Sequence, residues 1–197
     1  MTPLAFHRQF WKGTRGDSEK AIARAESRLK VALPAVLREF YGGTDLRSSQ
    51  QLHLRPLKEL EVENGRVIFS EEQQGCFSWS LRIDQLREND PAVWLYGNDG
   101  DCAEGCRLSD WLNAFTLINR PYEPPCSQDY GGDAEKLLEA GWTQHPMQWH
   151  TIQITMFTFG DAACDGVCYG ARTSKGLKEA LKSVGITATD DDLHLPE

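Results

Sequence analysis

Six cysteines are the residues best equipped for chemistry in this chain of 197. Four of them form two equally spaced pairs, Cys102-x3-Cys106 and Cys164-x3-Cys168. Two thiolate pairs can hold a tetrahedral zinc ion if the fold brings them together. The competing reading takes each thiol as a small buried apolar group in a reducing compartment. Structural zinc sites more often space their cysteines by two residues, so packing thiols are the favoured reading and no cofactor is expected. The glycine-rich stretch from Tyr96 to Gly105 gathers Asp99, Asp101 and Glu104. It lacks the terminal glutamate of a calcium loop at the required position, and reads as a solvated turn between a strand and a helix. Cys164 followed by Asp165 is a conceivable nucleophile. None of His7, His53, His145, His150 and His194 stands at a recognisable spacing from it, and no zinc-protease, nucleophile-elbow or phosphate-loop motif is present. No catalytic residue is predicted.

The elements that must position any site begin with the stretch from Val67 to Ile118. Phe77, Trp79, Leu81 and Ile83 alternate with Cys76, Ser78, Ser80 and Arg82. That two-residue period predicts a strand with one apolar face. Val93 to Tyr96 is a nearly continuous apolar run, expected for a strand buried on both faces. Ser109 is placed to cap a helix whose Leu112, Phe115 and Ile118 cover the sheet.

Upstream, Asp17 and Ser18 start a helix with an apolar stripe of Ile22, Ala25 and Leu29. Leu33-Pro34 ends it, because the residue before proline avoids helical geometry. Pro34 then suits the first turn of a second helix, which buries Val36, Leu37, Phe40 and Tyr41 and stops at Gly42-Gly43. Leu52 and Leu54 alternate as a short strand, and Asn64-Gly65 is a hairpin turn signal.

The stretch 119–133 carries three prolines and two glycines. It is the expected connection between a domain of residues 1–120 and a C-terminal extension of 134–197. In that extension a helix over 134–140, strands over 149–159 and 167–171, and a helix capped by Ser174 are predicted. Trp142 and Trp149 flank a loop, where an exposed tryptophan would be an interface anchor; burial against the sheet is the favoured reading of both.

The balance of 21 basic against 29 acidic residues gives a net charge of −8. That argues against direct nucleic-acid binding, which needs cations to neutralise phosphates. No apolar run approaches the length of a membrane helix, and the N-terminus has no apolar core of signal-peptide length. A cytoplasmic protein, monomeric or weakly dimeric, is expected.

The order of features from Asp17 to Ile118 resembles the SUKH superfamily. The resemblance rests on Leu33-Pro34, the segment Leu37-Arg38-Glu39-Phe40-Tyr41-Gly42-Gly43, and Leu57-Lys58-Glu59-Leu60. Ile68-Phe69, Gly75, the Trp79 strand, Val93-Trp94 and the segment Trp111-Leu112-Asn113-Ala114-Phe115 complete it. It covers about the first 120 residues and does not extend to the C-terminal part. It implies an α+β fold, with a mostly antiparallel sheet flanked by helices, to which the C-terminal residues add an α+β extension. It also implies a binding role. Bacterial members are typically immunity proteins that neutralise a cognate polymorphic toxin, often a nuclease, by occluding its active site; the fungal branch regulates cell-wall assembly. The family shares no catalytic residues. If the partner is a basic toxin, Glu71, Glu72, Asp99, Asp101 and Glu104 are the expected acidic contacts, with Trp142 as an aromatic one, because complementary charge steers association. The alternatives are a regulatory or scaffold module, and a zinc module or enzyme centred on Cys102, Cys106, Cys164 and Cys168.

Overall fold

The computed structural model describes every residue except 12–14, 46–51, 98–99, 123–125, 130–132, 150–151, 166–167 and 190–197. Among the described residues there are six α-helices and two antiparallel sheets, so the chain is α+β. It divides into two compact units. One is Met1–Ala5 with Gly13–Asn113; the other is Phe6–Lys12 with Ala114–Glu197. Helix α1 (Pro3–Phe10) therefore contributes to both. The division does not fall in the proline-rich stretch 119–133. It lies between Asn113 and Ala114, and part of the expected connection is helix and strand.

In the first unit, Ser18 caps α2 (Glu19–Leu29): its hydroxyl accepts from the Ala21 N–H at 3.2 Å, satisfying one of the amides that a helix start leaves open. Ile22, Ala25 and Leu29 are buried, and the helix ends at Lys30 in the left-handed region, φ 60°. Helix α3 (Ala35–Gly43) follows Pro34 and buries Leu37, Phe40 and Tyr41, leaving Val36 only partly covered. A Cβ on Gly16 would lie 2.2 Å from the Gly42 carbonyl carbon, so only glycine lets the chain pass the end of α3 here.

Strands β1 (Leu52–Leu54) and β2 (Glu61–Glu63) both pair with β3 (Arg66–Glu72), β2 with its first residues and β1 with its last. Asn64 and Gly65, at φ 47° and 75°, turn β2 into β3 as the sequence predicts. The sheet continues through β4 (Phe77–Arg82), β5 (Ala92–Gly97) and β6 (Gly100–Arg107). Its inner face sets Val67 opposite Leu81 and Trp79 opposite Leu95, all buried. Trp111 meets Phe69 edge-on at 4.9 Å and Trp79 at 5.6 Å between ring centres.

Three expectations change in this unit. The glycine-rich stretch after β5 is no solvated loop: from Gly100 onward it is strand β6, paired with β5 at the edge of the sheet. Strand β5 is not buried on both faces; Val93 and Leu95 are buried while Trp94 and Tyr96 are half-buried. Helix α4 (Leu108–Tyr122) starts one residue before Ser109, and its first turn is held from a distance. The Asp90 carboxylate accepts from the Ser109 N–H at 2.8 Å and from its hydroxyl at 2.6 Å. A carboxylate there is also favoured by the helix dipole.

The second unit has the sheet order β7 (Cys126–Asp129), β11 (Cys168–Ala171), β10 (Ala162–Cys164), β9 (Ile152–Phe159), β8 (Thr143–Trp149). Helix α5 (Ala134–Glu139) ends at Gly141, φ 84°, as expected. Helix α6 (Ser174–Ser183) is capped by Thr173, one residue before Ser174, whose hydroxyl accepts from the Gly176 N–H at 3.0 Å. Leu137, Trp142, Tyr169, Leu177 and Leu181 form one core, and Phe10, Leu117, Met156 and Ala163 a second. The strand expected over 149–159 is two strands: Trp149 ends β8 and pairs with Ile152, which begins β9. Pro146 hides β8 in the sequence, and its tolerance there follows from β8 being an edge strand.

His145 of β8 sets Nε2 2.8 Å from the Thr158 hydroxyl, with the Phe6 ring against it, and burial lowers its pKa from the ordinary 6.5. The unfolded chain therefore takes up this proton first. The contribution is complete above about pH 6.5 and is lost as pH falls below it. Denaturant unfolding at about pH 7 and about pH 5 should show a loss that is smaller in His145→Asn. An equal loss in both proteins would place the sensitivity elsewhere.

No described helix is long and apolar enough to cross a membrane.

Candidate binding surface on the first sheet

The outer face of the first sheet is set by the same registers as its core. Ser78 lies opposite Tyr96, Ser80 opposite Trp94, and Arg66 opposite Arg82. These six side chains share one face, because directly paired residues point to the same side of a sheet. The guanidinium groups of Arg66 and Arg82 each lie 5.3 Å from the centre of the Trp94 ring. Such contacts are worth about 0.5–1 kcal/mol each at partly exposed sites. The indole N–H donates to Gln85 Oε1 at 3.1 Å, and Asn64 donates to the Tyr96 hydroxyl at 2.8 Å. Arg82 is fixed in turn by both Asp84 oxygens, at 3.2 and 3.0 Å. Both rings are thus held in place while remaining partly exposed, whereas Arg66 and Ser80 on the same face are buried. Large aromatic side chains ordered in advance lose little entropy on binding, the property that makes tryptophan, tyrosine and arginine frequent anchors of protein interfaces.

Of the residues expected to contact a partner, two of those described are buried. Glu104 is 2% exposed and Trp142 3% exposed, so neither offers itself to a partner. Glu104 stands on β6 where its pairing with β5 shifts register. Trp142 packs on Tyr169 and Phe159, and its N–H donates to Ser183 at 3.0 Å. Glu71 accepts from Arg55 at 2.9 Å, and Glu72 folds back to accept from the Gln74 N–H at 2.9 Å. Asp101 stands on β6 opposite Tyr96; Asp99 lies outside the described residues. The signal that could have pointed to the Trp94 face was present: Arg66, Arg82, Trp94 and Tyr96 fall at alternating positions once the hairpin registers are known.

The cysteine pairs resolve differently from a zinc site. Cys102 and Cys106 lie four residues apart on one strand, roughly 13 Å along it. One zinc ion bonds sulfur at about 2.3 Å and cannot reach both. Cys164 is buried at the end of β10, opposite Tyr169. Burial and then the neighbouring Cys164 push the Tyr169 hydroxyl up. His7 and His145 each set a ring nitrogen on a threonine hydroxyl, Thr116 and Thr158. Among the described residues no three histidine, cysteine or acidic side chains are grouped to hold a metal.

Cys106 is a different kind of thiol from Cys76 and Cys102, which are exposed. Burial, followed by Glu104, Asp110 and Asp90, pushes it up to about 12. Since the thiolate is the reactive form, alkylation of Cys106 at about pH 8 should run about a hundredfold or more slower than that of Cys76. Peptide mapping after timed iodoacetamide treatment measures the ratio, and equal rates would contradict the placement.

No protein-family model matches the chain, no curated protein is significantly similar in sequence, and no solved structure is significantly similar in fold.

Proposed function

We propose that this chain is a non-catalytic protein-binding domain serving as an immunity protein, which binds a cognate toxin and blocks it. The observation that carries the reading is the outer sheet face: Trp94 lies against Arg66 and Arg82, with Tyr96 beside it, ordered and partly exposed. Two further points support it. The α+β fold with an antiparallel sheet agrees with what the SUKH resemblance implies. Among the described residues Cys164 is buried, and His7 and His145 each meet a threonine hydroxyl. The contact surface is then aromatic and mixed in charge, centred on Trp94, Tyr96 and Arg82, in place of the acidic set read from the sequence. The partner of this reading is a toxin domain, sought first in the product of the neighbouring gene. Pull-down of that purified domain by the tagged chain tests the reading. Recovery of a stoichiometric complex is the expected result; failure of the two to associate would leave the immunity role without support.

A further inference from the structure

We propose a second binding site, a groove between α2 and the short 3-10 turn Leu57–Glu59, that takes a small amphiphilic carboxylate. The groove encloses about 450 Å³ within the first unit. That falls in the range of roughly 300–1,000 Å³ typical of small-molecule sites. Its walls are Ala21 and Ala25 on one side and Pro56 and Leu57 on the other, with Arg24, Arg28, Lys58 and Asp17 also lining it. Three cations against one carboxylate is an unusual local balance in a chain of net charge −8.

The imbalance has a structural origin. The acidic residues of α2 are drawn to its other side, where Glu19 and Glu26 both pair with Arg38 of α3. What remains along the groove is the helical stripe Ala21, Arg24, Ala25, Arg28, small apolar side chains alternating with cations at one-turn spacing. Arg28 donates one N–H to the Leu57 carbonyl at 2.8 Å, which links the two walls. Arg24 makes no ion pair among the described residues. Lys58 is exposed and lies 3.4 Å from Glu59, itself exposed. A ligand with a short alkyl or aryl body and one carboxylate head matches this arrangement: the body removes apolar wall from water, and the head meets arginine N–H groups in charge-assisted hydrogen bonds.

The test is titration of the full-length protein with sodium decanoate below its micelle threshold, followed by amide nitrogen–proton correlation spectra, with decanol as the uncharged control. Saturable shifts confined to Asp17–Arg28 and Pro56–Lys58 are expected. The double variant Arg24→Glu/Lys58→Glu, both exposed positions, should weaken decanoate about tenfold and leave the thermal midpoint nearly unchanged. Decanol binding as tightly as decanoate, shifts centred elsewhere, absence of saturation, or an unaltered affinity in the double variant would each overturn the proposal. So would equal competition by N-acetylated tetraglutamate, which would assign the groove to an acidic polypeptide. Arg28 is left intact in the variant because its bond to Leu57 holds the wall.

Discussion

Trp79→Ala is expected to lower the free energy of unfolding by about 3–5 kcal/mol, the range for deleting a large aromatic side chain from a packed core. Trp79 has no exposed surface, lies 5.1 Å from the Phe77 ring and 5.6 Å from Trp111, and stands opposite Leu95 in the next strand. Alanine would leave a cavity bounded by sheet backbone, which cannot collapse to fill it. Urea unfolding followed by circular dichroism measures the loss. A change below about 1 kcal/mol would mean that Trp79 does not sit at the centre of the first unit's core.

If the proposed face binds a toxin, Trp94→Ala combined with Tyr96→Ala is expected to weaken that binding by about a hundredfold or more, as truncation of an interface anchor does. Trp94 is half-buried and its ring is shared by two arginines, so the same change should cost stability far less than Trp79→Ala; the lost cation–π contacts amount to about 1–2 kcal/mol. The contrast between the two variants is informative. One removes a single side chain from the inner face of the sheet and the other two side chains from the outer face, on neighbouring strands. Calorimetric titration with the toxin domain, paired with a thermal melt, separates the effects. A large fall in melting temperature with unchanged affinity would assign Trp94 to the core and remove it from the interface.

Much of the first unit was legible in the sequence because its signals are local. Ser18 caps α2, Leu33-Pro34 separates the helices, Asn64-Gly65 turns the hairpin, and the Trp79 strand alternates, each within a few residues of chain. What escaped was set by partners distant in sequence. Asp90 holds the start of α4 from 19 residues away, so a search for a neighbouring cap finds Ser109 and mistakes the recipient for the cap. Strand β6 carries glycines at 100 and 105 and few apolar groups, which suits an edge and imitates a loop. Pro146 conceals β8 for a related reason. Trp94 and Tyr96 are amphipathic, and a run that includes them looks uniformly apolar until the register shows that alternate members face arginines. The candidate site escaped for the same reason, since its alternating positions line up only once the strand registers are known. Its six side chains come from three strands, and Glu104 looked exposed because β6 was read as a loop.

The proposal that the outer sheet face grips a toxin is tested most directly in cells expressing that toxin domain together with this chain. Growth should be restored by the unaltered protein and lost with a variant carrying Trp94→Ala, Tyr96→Ala and Arg82→Glu, provided the variant still melts as a folded protein. Undiminished growth with the folded triple variant would contradict the account.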